Sequence, residues 1–217
     1  MLVRYFMTPE VITLFPEQRC LEALHNLRRH HIRRAPVLEN NQLVGMISEQ
    51  DLYRVLPQTL WQASREGEAS INISVKDVMT THVHVLSPND HLETAALLML
   101  KHKIGAMPVL KEGQIKGLIT ESDIFKAIWS ILSYRTSYRI LFFDKSQDTD
   151  KVPNDYLELC LKHRCQVHTF LSYPKPDGGY MHYLCVQGTS GEELIKDLWS
   201  HSCEVIIVER DAKAKDQ

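Results

Sequence analysis

The chain repeats itself. Residues 3–56 slide onto 75–128 without a gap, a shift of 72 positions, and 17 of the 54 pairs are identical. Val3/Val75, Met7/Met79, Thr8/Thr80, Pro16/Pro88, Pro36/Pro108, Val37/Val109, Gly45/Gly117 and Asp51/Asp123 are among them. Others are conservative, as at Ser48/Thr120 and Leu52/Ile124. A fixed internal period means that one supersecondary unit occurs twice, and it outranks any local pattern in deciding the fold. The first 130 residues must therefore be built from two like units.

Within each copy the hydrophobic spacing predicts the same order of elements. "VITLFPEQ" reads as a short strand closed by Pro16, and "CLEALHNLRRHHI" has apolar residues at helical spacing. "APVLENNQLVGMIS" reads as two strands joined by an Asn-Asn turn, and in copy two Glu112-Gly113 fills the turn. Each unit closes with a helix, "EQDLYRVL" or "ESDIFKAIW", entered through Ser48 or Thr120 with an Asp three residues on. That S/T-x-x-D spacing is also an ordinary capping box, in which the hydroxyl accepts a backbone N–H and the acid reaches back.

The two copies of M-T, A/M-P-V and G-h-I-S/T-E-x-D, in order and in register, resemble a tandem pair of CBS domains (a Bateman module) over roughly residues 1–130. The resemblance implies an α/β and α+β architecture. Two β-α-β-β-α units would pack around a pseudo-twofold axis, with adenosine-type ligands in the clefts between them. A carboxylate in the first turn of a helix can accept both hydroxyls of a ribose. The unpaired N–H groups at the same helix start favour a nearby anion. By resemblance, one site combines Ser48 and Asp51 with Met79, Thr80, Thr81 and Val109. The other combines Thr120 and Asp123 with Met7, Thr8, Pro9 and Val37. Val37 and Val109 would offer apolar surface to a base, and Thr8 and Thr80 hydroxyl and backbone groups to its edge.

The copies differ before the Pro-Val pair, where copy one reads "RRAPV" and copy two "GAMPV". In related modules the positions of Arg33 and Arg34 often face phosphates, a role that suits the planar guanidinium. Two arginines at a helix end also serve to neutralise its dipole, and both readings stay open. On the first, the Asp51 site takes a phosphorylated ligand, while the Asp123 site takes a less charged adenosine derivative, binds weakly or stays empty.

From Tyr138 onward the order predicted is strand, helix, two strands around "PKPDGG", a helix starting at Ser190, and a last strand "CEVIIVER". This is the βαββαβ order of a ferredoxin-like domain. Behind a CBS pair it resembles an ACT-type domain by topology alone. The whole arrangement resembles the AcuB family of acetoin-utilisation regulators. The domains expected are CBS unit 1 at 1–56, a linker at 57–74 containing Trp61, CBS unit 2 at 75–130 and the ACT-like domain at 138–210.

A net charge of −2, from 25 basic and 27 acidic residues, with no long basic run, argues against nucleic acid as a partner. No stretch has the apolar length of a membrane span, and "MLVRYFMTPE" lacks the apolar core of a secretory signal. Five cysteines without a framework spacing suit a reducing compartment, so a cytoplasmic location is expected. Cys160, His163, Cys165, His168, His182, Cys185, His201 and Cys203 are the candidate metal ligands, but no CxxC pair occurs, and no metal site is expected. No phosphate-binding G-x-x-x-x-G-K-S/T or dinucleotide G-x-G-x-x-G occurs, no histidine accompanies Ser48 and Asp51, and no catalytic residue is assigned.

The expectation is a regulatory, non-enzymatic protein, a homodimer, that requires no cofactor. Its ligand would be AMP, ADP, ATP or another adenosine derivative such as S-adenosylmethionine, and the response would pass to an unidentified regulated protein. The alternatives are a ligand-free dimerisation scaffold and a nucleotide-hydrolysing enzyme.

Overall fold

The computed structural model describes residues 1–55, 73–132, 138–144, 152–176, 178–201 and 203–210. The expected linker, with Trp61, lies outside the described residues except for Ile73 and Ser74. The chain divides into two compact units, Met1–Ala127 and Ile128–Gln217.

The first unit carries the repeat. Helix α1 (Cys20–Arg29) leads to the antiparallel hairpin of β1 (Arg34–Glu39) and β2 (Gln42–Ser48), and α2 follows at 49–55. The second copy supplies α3 (Leu92–His102), the hairpin of β3 (Ala106–Lys111) and β4 (Gln114–Thr120), and α4 (Glu121–Leu132). Asn40 and Asn41 hold positive φ, as do Glu112 and Gly113, which is what a two-residue hairpin turn matched to strand twist requires. His31 and Lys103, equivalent under the repeat, both take φ near +54 just past α1 and α3. The chain is thereby turned into the segments 32–34 and 104–106, which will line the clefts.

The strand expected at "VITLFPEQ" shrinks to one residue. Leu14 bridges Val37 in parallel fashion, donating its N–H to the Pro36 carbonyl and accepting from the Leu38 N–H. Pro16 has no N–H to extend the ladder, which stops there. Leu86 and Val109 repeat the arrangement.

The sequence copy and the packing unit also differ. The short 3₁₀ turn Val3–Tyr5 belongs to copy one, yet Val3 donates to Asp90 O and is fully buried in the core of copy two, beside Leu86, Leu92, Met107 and Ile119. Reciprocally, Val75 donates to Gln18 O and joins Leu14, Leu27, Ile47 and Leu52 in the core of copy one. Burial of one valine is worth about 1.5–3 kcal/mol, so each exchange anchors its segment. Thr8 then pairs with Leu118, and Thr80 with Met46, through two backbone hydrogen bonds each. The glycine of each motif makes room for this crossing. A Cβ on Gly45 would lie 2.5 Å from Met79 Sδ, and one on Gly117 would lie 2.5 Å from Met7 Sδ.

The second unit contains β5 (Tyr138–Asp144), α5 (Val152–Lys162), β6 (Gln166–Pro174), β7 (Tyr180–Gln187), α6 (Gly191–Ser200) and β8 (Cys203–Arg210). Its sheet runs β6-β7-β5-β8, antiparallel throughout, the ferredoxin-like arrangement of a βαββαβ chain. Ser190 stands at the start of α6 as expected, but its side chain makes no capping hydrogen bond. The core joins Ile140, Phe142, Leu184, Val186, Leu194 and Leu198. All five cysteines of the chain are free and buried. Burial pushes Cys20 up to about 11 and Cys160 to about 12, so both behave as small apolar packing groups rather than nucleophiles.

Candidate functional site

Both S/T-x-x-D segments form complete capping boxes. Ser48 donates to Asp51 Oδ2 from its N–H at 3.0 Å and from its hydroxyl at 2.6 Å, while the Asp51 N–H donates to Ser48 Oγ at 3.2 Å. Thr120 and Asp123 repeat this at 3.0, 2.7 and 3.3 Å. Ser74 and Asp77 build a third box at the Val75–Asp77 turn, so the motif by itself is structural. In each box Oδ2 is committed to the helix start and Oδ1 is the oxygen left for other work.

The two Oδ1 atoms are in different circumstances. Asp123 Oδ1 accepts from Lys126 Nζ at 3.1 Å, and its side chain is 7% exposed. Among the described residues, Asp51 Oδ1 meets Arg54 at 3.6 Å, and its side chain is 25% exposed. At Asp123 any further donor would share Oδ1 with an ammonium group, whereas at Asp51 the described cation nearest to Oδ1 is the more distant Arg54.

Each carboxylate faces a cleft. A cavity of about 340 Å³ is lined by Thr120 and Asp123 with Thr8, Glu10, Val11 and Ile12 from the other copy. A second, of about 250 Å³, is lined by Ser48 and Asp51 with Thr80, His82, Val83 and His84. The first stands at the small end of ligand pockets, roughly 300–1,000 Å³, and the second just below it. The pairings Asp51–Thr80 and Asp123–Thr8 thus come together across the two copies. Each threonine reaches its cleft because its backbone is stitched to Met46 or Leu118, at the end of the strand that enters the capping box.

Other expected residues lie elsewhere. Val37 and Val109 are fully buried in their cores, covered on one side by the bridge to Leu14 or Leu86 and on the other by the hairpin partner, and they line neither cavity. Met7 and Met79 pack over Gly117 and Gly45 instead of a ligand. Pro9 and Thr81 are exposed and outside both linings. Arg33, which the family resemblance puts with Asp51, lines the Asp123 cleft, and Arg34 lines both. The segment 31–34 crosses to the cleft that copy one's own Thr8 helps to form.

Residues that the motif did not flag complete the electrostatics. The Asp51 cleft adds Lys103, His82 and His84, and among the described residues its one carboxylate is Asp51. The Asp123 cleft adds His31 and Lys126, but also Glu10 and Glu121. His84 stacks on His102 with ring centroids 3.9 Å apart and meets His82 edge-on at 5.5 Å. Desolvation, followed by the neighbouring charges of His84, Lys101 and His82, holds the His102 imidazole below its ordinary value. The alternation His82-Val83-His84 was a readable signal, since it places two imidazoles just past a threonine already expected in the cleft.

No group of three metal-ligating side chains occurs among the described residues. In the second unit His163 bonds Asp197 at 2.8 Å, and His168 bonds Gln187 at 3.2 Å. Lys162 and His163 together hold the Asp197 carboxyl down at about 2. His182 is fully buried among Phe142, Tyr156 and Phe170 with neither ring nitrogen hydrogen-bonded. Burial lowers its pKa, with Asp144 opposing the shift. No described helix is long and apolar enough to cross a membrane.

The CBS domain model matches residues 3–58 and 75–130, more than half of the chain. The protein MJ1225 of Methanocaldococcus jannaschii is 30% identical over 126 residues, which are 56% of this chain and 45% of that one. Its crystal structure aligns with a TM-score of 0.53 at 28% identity, covering 58% of this chain and 47% of the other. The chain therefore spans less than half the length of this relative. The structure of an acetoin utilization protein, AcuB from Vibrio cholerae, aligns at 28% identity and a TM-score of 0.51. It covers 61% of this chain and 93% of its own, a distant likeness. CBSX2, solved in complex with AMP, aligns at 28% identity and a TM-score of 0.51 over 60% of this chain and 98% of its own. With the repeat, the exchanged segments and the paired clefts, these matches fix the family: the chain belongs to the CBS-domain proteins.

Proposed function

We propose that the protein is a regulatory sensor of an adenosine compound, bound in the clefts that hold Asp51 and Asp123. One observation carries the reading. Each cleft brings together a helix-start carboxylate with a spare oxygen and a threonine tied by backbone hydrogen bonds from the opposite copy. A ligand spanning the two binds both copies at once, and its preference for one mutual arrangement sets how far it can shift the other. AMP is the ligand in the CBSX2 structure, which supports an adenine nucleotide here. ADP, ATP and S-adenosylmethionine belong to the same class.

Ser48, Asp51, Thr80 and Arg34 are the proposed contacts in one cleft, with Lys103, His82 and His84. Thr8, Thr120, Asp123 and Arg33 are those in the other. The Asp51 cleft is proposed to take the more anionic ligand. That preference stands on Lys103 and the histidines rather than on Arg33, because the cations of the Asp123 cleft are offset by Glu10 and Glu121. No catalytic residue, metal or cofactor is part of the reading.

The described unit Ile128–Gln217 is proposed to act as an ACT-type output and dimerisation domain, with 1–56, 75–130 and 138–210 as the three domains. Its edge strand β8 exposes Ile206, Ile207 and Val208, and in the first unit α3 exposes Leu97 and Leu100 while α4 exposes Phe125. Apolar side chains grouped in this way favour a homodimer. The scaffold reading draws on the capping boxes, which are complete without a ligand. Calorimetric titration with AMP, ADP, ATP, NAD and S-adenosylmethionine separates the two. Saturable binding that is weakened in Asp51→Ala supports the sensor, and no heat with any of them favours the scaffold.

A further inference from the structure

The two clefts are not independent cavities. Arg34, Gly105 and Ala106 line both. Under the repeat Arg33 corresponds to Gly105 and Arg34 to Ala106, so copy one brings two guanidinium groups to this seam and copy two brings none. Gly105 also determines where one of them rests. A Cβ built there would lie 2.7 Å from Arg34 Nη1 and 2.8 Å from both Cζ and Nη2. The Arg34 head thus occupies the space that a side chain at 105 would fill, on the boundary between the clefts.

We infer that Arg34 is a single phosphate-binding group shared by both clefts, so that a phosphate in one cleft makes a phosphate in the other less favourable. The inference rests on the nucleotide reading above and deepens it. A guanidinium gives its bidentate face to one phosphate at a time. The second ligand meets a cleft that has lost that cation and gained the field of the first phosphate. The Asp51 cleft, whose described lining holds no acid besides Asp51, draws Arg34 first. The Asp123 cleft is then left with Arg33 and Lys126 against Glu10, Glu121 and Asp123. Two cations against three carboxylates suit an uncharged or cationic adenosine compound. The pair therefore reads two different adenosine compounds at once, one phosphorylated and one not.

The test uses the full chain with one cleft disabled at a time. Asp51→Ala and Asp123→Ala, each with and without Arg34→Ala, are titrated calorimetrically with AMP and with adenosine. Sharing predicts that Arg34→Ala weakens AMP about tenfold in both backgrounds, the scale of a lost charge-assisted contact, and leaves adenosine unchanged. In the otherwise wild-type chain AMP binds in two separated phases, and Arg34→Ala brings them together. Gly105→Ala provides a second route, because the nearest atoms to its new methyl all belong to the movable Arg34 head. It weakens AMP in both backgrounds without removing a charge. A loss confined to one background, or equal AMP constants in wild-type protein, overturns sharing while the nucleotide reading stands. If neither AMP nor adenosine binds the wild-type chain, the nucleotide reading itself falls and the inference with it.

Discussion

The two clefts of the first unit share one backbone plan and differ in the chemistry set upon it. Both have a capping box of nearly equal distances, a threonine stitched across from the other copy, and a glycine over which a methionine passes. Around that frame, Asp51 keeps a nearly free oxygen while Asp123 is held by Lys126. Histidines 82 and 84 on one side face the counterparts Glu10 and Ile12 on the other. Duplication fixed what the fold needs twice, and the positions that diverged are those where a ligand would be told apart. On the proposed sensor function, specificity would lie in residues outside the S/T-x-x-D motif.

The largest effect expected from breaking this asymmetry is at the carboxylates. Asp51→Ala should lower affinity for AMP by about 10- to 100-fold, the loss of one hydrogen bond to a charged acceptor, about 1.5–3 kcal/mol. Asp123→Ala should cost the second binding phase less, because the wild-type Oδ1 is already shared with Lys126. Both variants lose the same helix-start bonds, so the roughly 1 kcal/mol of stability this removes is common to the pair. Calorimetry on the two variants reads the difference. Equal losses would mean that the Lys126 contact does not matter to binding.

A second comparison tests what the copies have in common. Gly45→Ala and Gly117→Ala each force a methyl against Met79 Sδ or Met7 Sδ, with Thr80 O or Thr8 O within 3.1 Å. The backbone oxygen cannot swing aside as a methionine can. Overpacking of this kind costs about 1–3 kcal/mol, and the two variants should lose the same amount in chemical denaturation. A large inequality would show that one crossing anchors the unit more than the other.

How much of this could be read in the chain depends on the range of the interaction. The hairpin turns at Asn40-Asn41 and Glu112-Gly113, the helix starts at Ser48 and Thr120, and the βαββαβ order after Tyr138 are local, and spacing revealed them. The two glycines stood out in the repeat, but their reason is a methionine arriving from the other copy, which no local pattern contains. Val37 and Val109 looked available because a proline precedes each. Burial on both sides follows only from the Leu14 and Leu86 bridges, which form where Pro16 and Pro88 cut short the expected strand. Arg33 was misplaced for a related reason. The repeat says which residues correspond, but not that segments 31–34 and 103–106 each serve the cleft built around the other copy's carboxylate.

The finest difference between the clefts concerns protons. His102 is held below its ordinary pKa by desolvation and by the charges of His84, Lys101 and His82, and it stacks on His84 at the wall of the Asp51 cleft. An anion bound there offsets that repulsion and favours the protonated ring. Binding therefore takes up protons, and affinity rises as pH falls through the region of the His102 pKa. The Asp123 cleft, with Glu10 and Ile12 in place of the two imidazoles, should show a weaker dependence. AMP titrations near neutral pH, in buffers of different ionisation heat, measure this directly. Asp123→Ala, which leaves the Asp51 cleft, should bind AMP with uptake of a fraction of a proton, and Asp51→Ala with less. The AMP phosphate titrates in the same range, so the ring is isolated by adding His102→Gln to the Asp123→Ala variant, which should lower the uptake if His102 takes the proton. Equal uptake would assign the proton to the ligand alone and leave the histidine stack a packing feature of α3.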